Sequence, residues 1–202
     1  MNHAIDFQSI SYDLLTITPR KKTLHNQLFR VESGKVLLKL GKNEYVFNAG
    51  DTFWLPLDCL MSLTILPTSH VSVVKFSVRL TDSFPKQAGQ VNVSTLTSAL
   101  LDRLLIESCV DITKDLLQVI RHDVTKLSPK LSQTQECLAV SQWKPNSETI
   151  SGELALALLV REARKQRLSG IKLEAICDNL FARNREQLQL LSQSLLGNTD
   201  LR

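Results

Sequence analysis

The sequence is short of the residues that carry metal and redox chemistry. Its 202 positions hold only 4 histidines and 4 cysteines. The cysteines, Cys59, Cys109, Cys137 and Cys177, form no CxxC and no other metal-ligand spacing. They are expected as reduced, mostly buried thiols, which suits a cytoplasmic protein. Aromatic residues reach just 5%, leaving aliphatic side chains to build most of the core. No apolar run approaches the roughly eighteen residues of a membrane-spanning helix, so no membrane partner is expected. Met1 to Asp13 lacks the basic-then-apolar order of a signal peptide. Phosphate-binding and dinucleotide-binding glycine loops are absent, as are G-x-S-x-G and HExxH. No charge of one sign accumulates either. The net charge is +4, and the basic and acidic counts are 10 and 7 over residues 1–90, 6 and 6 over 91–146, and 8 and 7 over 147–202. A segment built for DNA normally shows a marked excess of Lys and Arg.

Strand signals fill the first half. Phe29, Val31 and Ser33 lead into Gly34. Val36, Leu38 and Leu40 share a face, with Lys35 and Lys39 opposite. Gly41-Lys42-Asn43 supplies a turn, and Glu44 to Phe47 return from it. Thr52 to Leu55 forms a strand ended by Pro56, and Leu60 to Leu66 another bounded by Pro67. Val71 to Leu80 alternates, with Val74, Phe76, Val78 and Leu80 on one side. Six short strands at this spacing imply an antiparallel barrel or sandwich.

After a linker at Pro85 to Gly89 the period becomes helical. Ser94 is placed to cap a helix running to Cys109, and Asp111 to cap a second reaching Leu127. The second helix shows Ile112, Leu116, Val119, Ile120 and Val124 as its apolar face. Residues 130–146 are irregular, and Trp143-Lys144-Pro145 reads as a boundary. Three further helices are expected over Ser147 to Arg167, Lys172 to Arg183 and Arg185 to Leu196, with Gly170 and Gly197 at C-terminal caps. The fold class is thus α+β: a β-barrel over 1–89, a linker with dimerisation helices over 90–146, and a C-terminal helical bundle over 147–202.

The glycine spacing in VESGKVLLKLGKNEYVFNAGDTFWLP resembles that of a cupin. In that family one motif holds a His-x-His pair and a Glu and closes on a glycine, here Gly34. A second motif opens on a glycine, here Gly50, with a proline after five residues, here Pro56. The metal ligands that the resemblance would imply are not in place. The glutamate position falls on Gln27, the histidine pair would lie near Arg20 to Thr23, and Asp58 and Met61 stand where the second motif has its later glycine and histidine. His25 and His70 read as ordinary surface or turn residues. The barrel is therefore expected to be metal-free and to need no cofactor. As a small-molecule site its walls would be Phe47, Phe53, Trp54 and Met61, and its anchors Gln27, Cys59 and Ser62. The same residues would otherwise simply fill a small barrel.

The stretch KVLLKLGKNEYVFNAGDTFWLPLDC also resembles the sensor half of AraC-type transcription regulators. There the barrel is followed by helices that dimerise, which implies a homodimer. Such regulators end in two helix-turn-helix units, and residues 147–202 leave room for one. Its best candidate is LEAICDNLFARNREQLQLL, with Arg183, Asn184, Arg185 and Gln187 as DNA-contacting residues. Phe181 stands where that turn wants a glycine. The cluster Arg161, Arg164, Lys165 and Arg167 reads as complementing a helix C-terminus or as contacting phosphate. The expectation is a non-enzymatic regulator that senses a ligand or protein partner. The alternatives are a modulator that dimerises without binding DNA and a cupin enzyme.

Overall fold

A computed structural model describes residues 4–145, 147 and 149–201. The N-terminal strands are β1 (Ile5–Tyr12), β2 (Thr16–Ile17), β3 (Lys21–Lys22), β4 (Asn26–Ser33), β5 (Lys35–Leu40), β6 (Asn43–Asn48), β7 (Thr52–Leu55), β8 (Leu60–Ile65), β9 (Ser69–Phe76) and β10 (Gly89–Gln90). They form two antiparallel sheets. One has the order β1-β9-β4-β7-β10; the other runs β2-β8-β5-β6, with β3 also pairing β8. Six helices follow among the described residues: α1 (Thr95–Ile106), α2 (Val110–Val124), α3 (Gln135–Gln142), α4 (Gly152–Leu168), α5 (Leu173–Leu180) and α6 (Arg185–Leu196). The architecture is the α+β one expected, a cupin-like barrel followed by helices.

Three apolar cores explain why several strands are buried on both faces. Phe29, Val31, Phe53, Val71 and Val73 of the first sheet meet Val36, Leu38, Phe47, Leu63 and Ile65 of the second across the barrel interior. On the outside of the first sheet, Leu28, Trp54, Val74 and Phe76 pack under Leu101, Leu104, Leu117 and Ile120 of α1 and α2. On the outside of the second, Leu37 and Leu66 join Leu158, Ile176 and Leu188 of the C-terminal helices. The side-chain period of two sends Leu38 inward and Leu37 outward, and both find apolar cover. The turn into β5 depends on Gly34 at φ 78°, because a Cβ there would strike Ser69.

Several boundaries depart from the sequence expectation. β1 gave no alternating signal because its faces are covered over different halves: Ile5 and Phe7 lie under the helices, while Gln8, Ile10 and Tyr12 face the barrel cavity. β9 stops at Phe76, and Val78 is 57% exposed. Cys109, not Asp111, is the N-cap of α2, and no side chain closes that cap. Ile112 and Val119 point outward, and Leu117 takes the core position instead. The 130–146 stretch contains α3, which Thr134 caps by accepting from Cys137 N. α4 begins at Gly152; Asn146 and Glu148, near its expected start, lie outside the described residues, as do Met1 to His3 and Arg202. Cys137 and Cys177 are buried as expected, Cys59 is half-buried and Cys109 is exposed.

Candidate functional site

A cavity of about 350 Å³ opens between the two sheets where β1 meets the 18–25 segment. That is the small end of the roughly 300–1,000 Å³ range of ligand pockets. Its floor is apolar: Phe29 of β4, Met61, Leu63 and Ile65 of β8, and Val73 of β9. These side chains point inward because each occupies the inner phase of its strand. Phe29 stacks on Phe53 with ring centroids 4.8 Å apart, and Phe53 on Phe47 at 4.3 Å. The stack closes the barrel below the cavity.

The polar lining lies higher. Lys75 sits in the inner phase of β9, two residues beyond Val73, and its Nζ donates to Gln8 Oε1 at 2.6 Å. Gln8 Nε2 in turn donates to Asp6 Oδ2 at 2.8 Å. Gln27 stands across from Lys75 in register. Lys21, Lys22, Thr23 and His25 complete the mouth. His25 Nδ1 is buried and has no hydrogen-bond partner. Among the described residues, no carboxylate lines the cavity; Asp6 is linked to Lys75 through Gln8, and Asp58 Oδ1 lies 3.7 Å from Lys22 Nζ. Burial pushes the Tyr12 phenol and the Cys59 thiol up, so neither is primed to ionise as a nucleophile. Among the described residues, no three His, Cys, Asp or Glu side chains converge as a metal site would require.

Of the seven ligand-binding candidates, Gln27 and Met61 line this cavity. Phe47 and Phe53 lie one layer below as packing. Trp54 faces away: it alternates with Phe53, lies under α1 and α2, and donates from Nε1 to Pro85 O at 2.9 Å. Ser62 also faces out, paired across strands with Lys39. Cys59 packs at the barrel edge, its backbone N–H bonded to Thr23 Oγ1 at 3.0 Å. The sequence reading missed Lys75, although a lysine in phase with Val71 and Val73 was a visible signal. It missed Gln8 and Tyr12 along with β1.

Of the DNA candidates, Arg183 and Asn184 lie on the turn between α5 and α6, and Arg185 and Gln187 in the first turn of α6. Phe181, where a glycine was expected, is buried in the helical core at φ −125°, and the two residues after it, Ala182 and Arg183, take the positive φ values, 49° and 68°. Asn184 caps α6, its Oδ1 accepting from Gln187 N at 2.9 Å. Arg183 and Arg185 are exposed, 3.8 Å from Asp178 and Glu174 of α5 respectively. Arg161 does not join a basic patch: its guanidinium grips Glu44 of β6 at 2.6 and 3.0 Å. A larger cleft, about 760 Å³, lies between β6, α3 and the start of α4, but its lysine, Lys35, is already paired with Glu136.

These features define a cupin-like barrel with an apolar-floored, lysine-rimmed cavity, buried between two helical layers. No family model matches the chain, and no curated protein matches it. Among solved structures it is similar to apo ToxT from Vibrio cholerae, at 12% identity over 97% of this chain and 95% of that one, with a TM-score of 0.46. A second ToxT structure, bound to a methylnaphthalenyl butenoic acid, is similar at 14% identity over 96% and 95%, with a TM-score of 0.42. An RmlC-like cupin from Shewanella frigidimarina is similar at 21% identity over 39% of this chain and 71% of that one, with a TM-score of 0.34.

Proposed function

We propose that this protein is a regulator-type sensor without catalytic activity. Its barrel takes a small molecule with an apolar body and an anionic head, and its helices carry the response. The observation behind this reading is the cavity lining: aliphatic and aromatic below, three lysines and an unpartnered histidine nitrogen above, and no carboxylate. An anion entering there meets three ammonium groups, with Asp6 and Asp58 outside the lining, and its apolar body leaves water against the floor. Part of the response is self-association through the outer faces of α1 and α2.

Calorimetry with sodium decanoate tests the cavity. Decanoate should bind and decanol should bind at least about tenfold more weakly, the scale of one charge-assisted hydrogen bond. Lys75→Met, which keeps the apolar stem, should weaken decanoate by a similar factor and leave decanol unaffected. Equal affinity for acid and alcohol, or binding of neither, would remove the proposal. A second reading, a modulator that does not contact DNA itself, is favoured by the α5–α6 turn, where Asn184 is used as a cap and both arginines face acids of their own chain. Salt-dependent binding to genomic fragments that is lost in Arg183→Ala, Arg185→Ala would exclude it.

A further inference from the structure

The segment from the end of β1 to just past β2 faces two ways. Tyr12 and Thr18 line the cavity, and the Thr18 hydroxyl accepts from Leu63 N at 2.7 Å. Between them Leu15 is buried in the core of the C-terminal helices. Its amide donates to Leu195 O at 2.7 Å. Leu195 lies in the last turn of α6, where carbonyls have no donor within the helix, so the connector supplies one of the missing caps. Gly197 ends α6 at φ 71°, and a Cβ there would lie 2.8 Å from Leu14 Cδ1. Connector and helix end are therefore in contact at two consecutive residues, on the far side of the segment that walls the cavity.

We propose that the 12–18 connector couples occupancy of the barrel cavity to the docking of α6. The proposal rests on the cavity being a ligand site. The cavity keeps its shape only while Tyr12 and Thr18 stay in place, so a bound molecule opposes every opening that withdraws them, by a factor of one plus the ligand concentration over Kd. Withdrawing the connector also releases Leu195 O and uncovers Gly197. The last turn of α6 and the cavity wall thus open together, and a ligand slows both. Linkage makes the effect mutual: loosening the end of α6 weakens the ligand.

Hydrogen exchange of the full chain, with and without sodium decanoate at about ten times its Kd, tests this. The amides of Leu15 and of residues 195–198 should exchange up to about tenfold more slowly with decanoate. Those of residues 107–112, at the α1–α2 junction, exchange without opening the cavity and should not change. Gly197→Ala adds a Cβ against Leu14 at a strained φ; it should speed exchange at the α6 end and raise the decanoate Kd severalfold. The measurement on the unaltered chain stands even if that variant folds poorly. Decanoate that binds while exchange at 195–198 stays the same would overturn the coupling and leave the sensor reading intact. Decanoate that does not bind would overturn both.

Discussion

A single carboxylate fixes how the first two helices meet. Asp123 of α2 accepts from Ser94 Oγ at 2.7 Å and from the Thr97 hydroxyl. Ser94 meanwhile caps α1 by accepting from Thr97 N at 3.1 Å. The Thr97 hydroxyl, with Ser94 second, holds the Asp123 carboxyl below the usual carboxylate range. With the folded value lowered, the unfolded chain takes up the proton first. The stability supplied by Asp123 is therefore complete above about pH 4, the unfolded value, and is lost as pH falls through the lower folded value. Asp123→Asn should lower the urea midpoint at pH 7, and the gap between variant and parent should close on acidification. A gap that is the same at pH 7 and at acid pH would show that the hydroxyl bonds do not favour the charged form.

At the scale of elements, the second sheet is tied to the helices by polar side chains as well as by its apolar face. β6 is an edge strand, and its outward N–H groups would be open to pairing with another chain. Here Glu44 N donates to Ser141 Oγ at 2.8 Å, Val46 N to Cys137 Sγ at 3.3 Å, and Asn48 N to Asp51 Oδ2 at 2.7 Å. Two of these acceptors come from α3. The Glu44 side chain, only 5% exposed, accepts two guanidinium bonds of Arg161 from α4, and a third goes to the Thr64 hydroxyl. Arg161→Ala should cost about 1–3 kcal/mol in urea unfolding, since it removes two charge-assisted bonds and leaves the buried carboxylate with Lys39 Nζ alone, at 3.4 Å. Glu44→Gln with Arg161→Met should recover most of that loss. A single variant within about 0.5 kcal/mol of the parent would show that Glu44 is solvated by other means. This junction also shows what one sequence conceals. Strands β4 to β9 were legible because an apolar phase is local. Arg161 read as a helix-end cation because Glu44, 117 residues away, is invisible to local pattern. Leu37 likewise read as the polar-side phase of β5, because its cover comes from helices distant in sequence. The cavity was half legible: Gln27 and Met61 belong to strands with clear phase, whereas the wall contributed by β1 required knowing which half of that strand each layer covers.

The whole molecule is a stack of four layers: α1 and α2, the first sheet, the second sheet, and the α3–α6 helices. Three apolar cores fill the boundaries between them. Among the described residues, the outer side of α1 and α2 carries apolar side chains without cover. Leu96 is 58% exposed, and Ile112 and Val119 are each 43% exposed. Helices of 12 and 15 residues lying side by side offer a plate of roughly 20 by 20 Å at about 1.5 Å rise per residue. That suits a small reversible interface rather than an obligate one, which buries upwards of about 2,000 Å² in total. A dimer formed there should be concentration-dependent and isologous, each α1–α2 plate meeting its own copy. Val119→Glu places a charge on the plate without touching the core beneath, where Leu117 and Ile120 are buried. In sedimentation equilibrium the parent chain should shift from monomer to dimer as concentration rises. Val119→Glu should remain monomeric with its urea midpoint unchanged, because an exposed substitution typically moves stability by less than about 0.5 kcal/mol. A parent that stays monomeric at every accessible concentration, or a Val119→Glu variant that dimerises as well as the parent, would place self-association elsewhere or remove it from the mechanism.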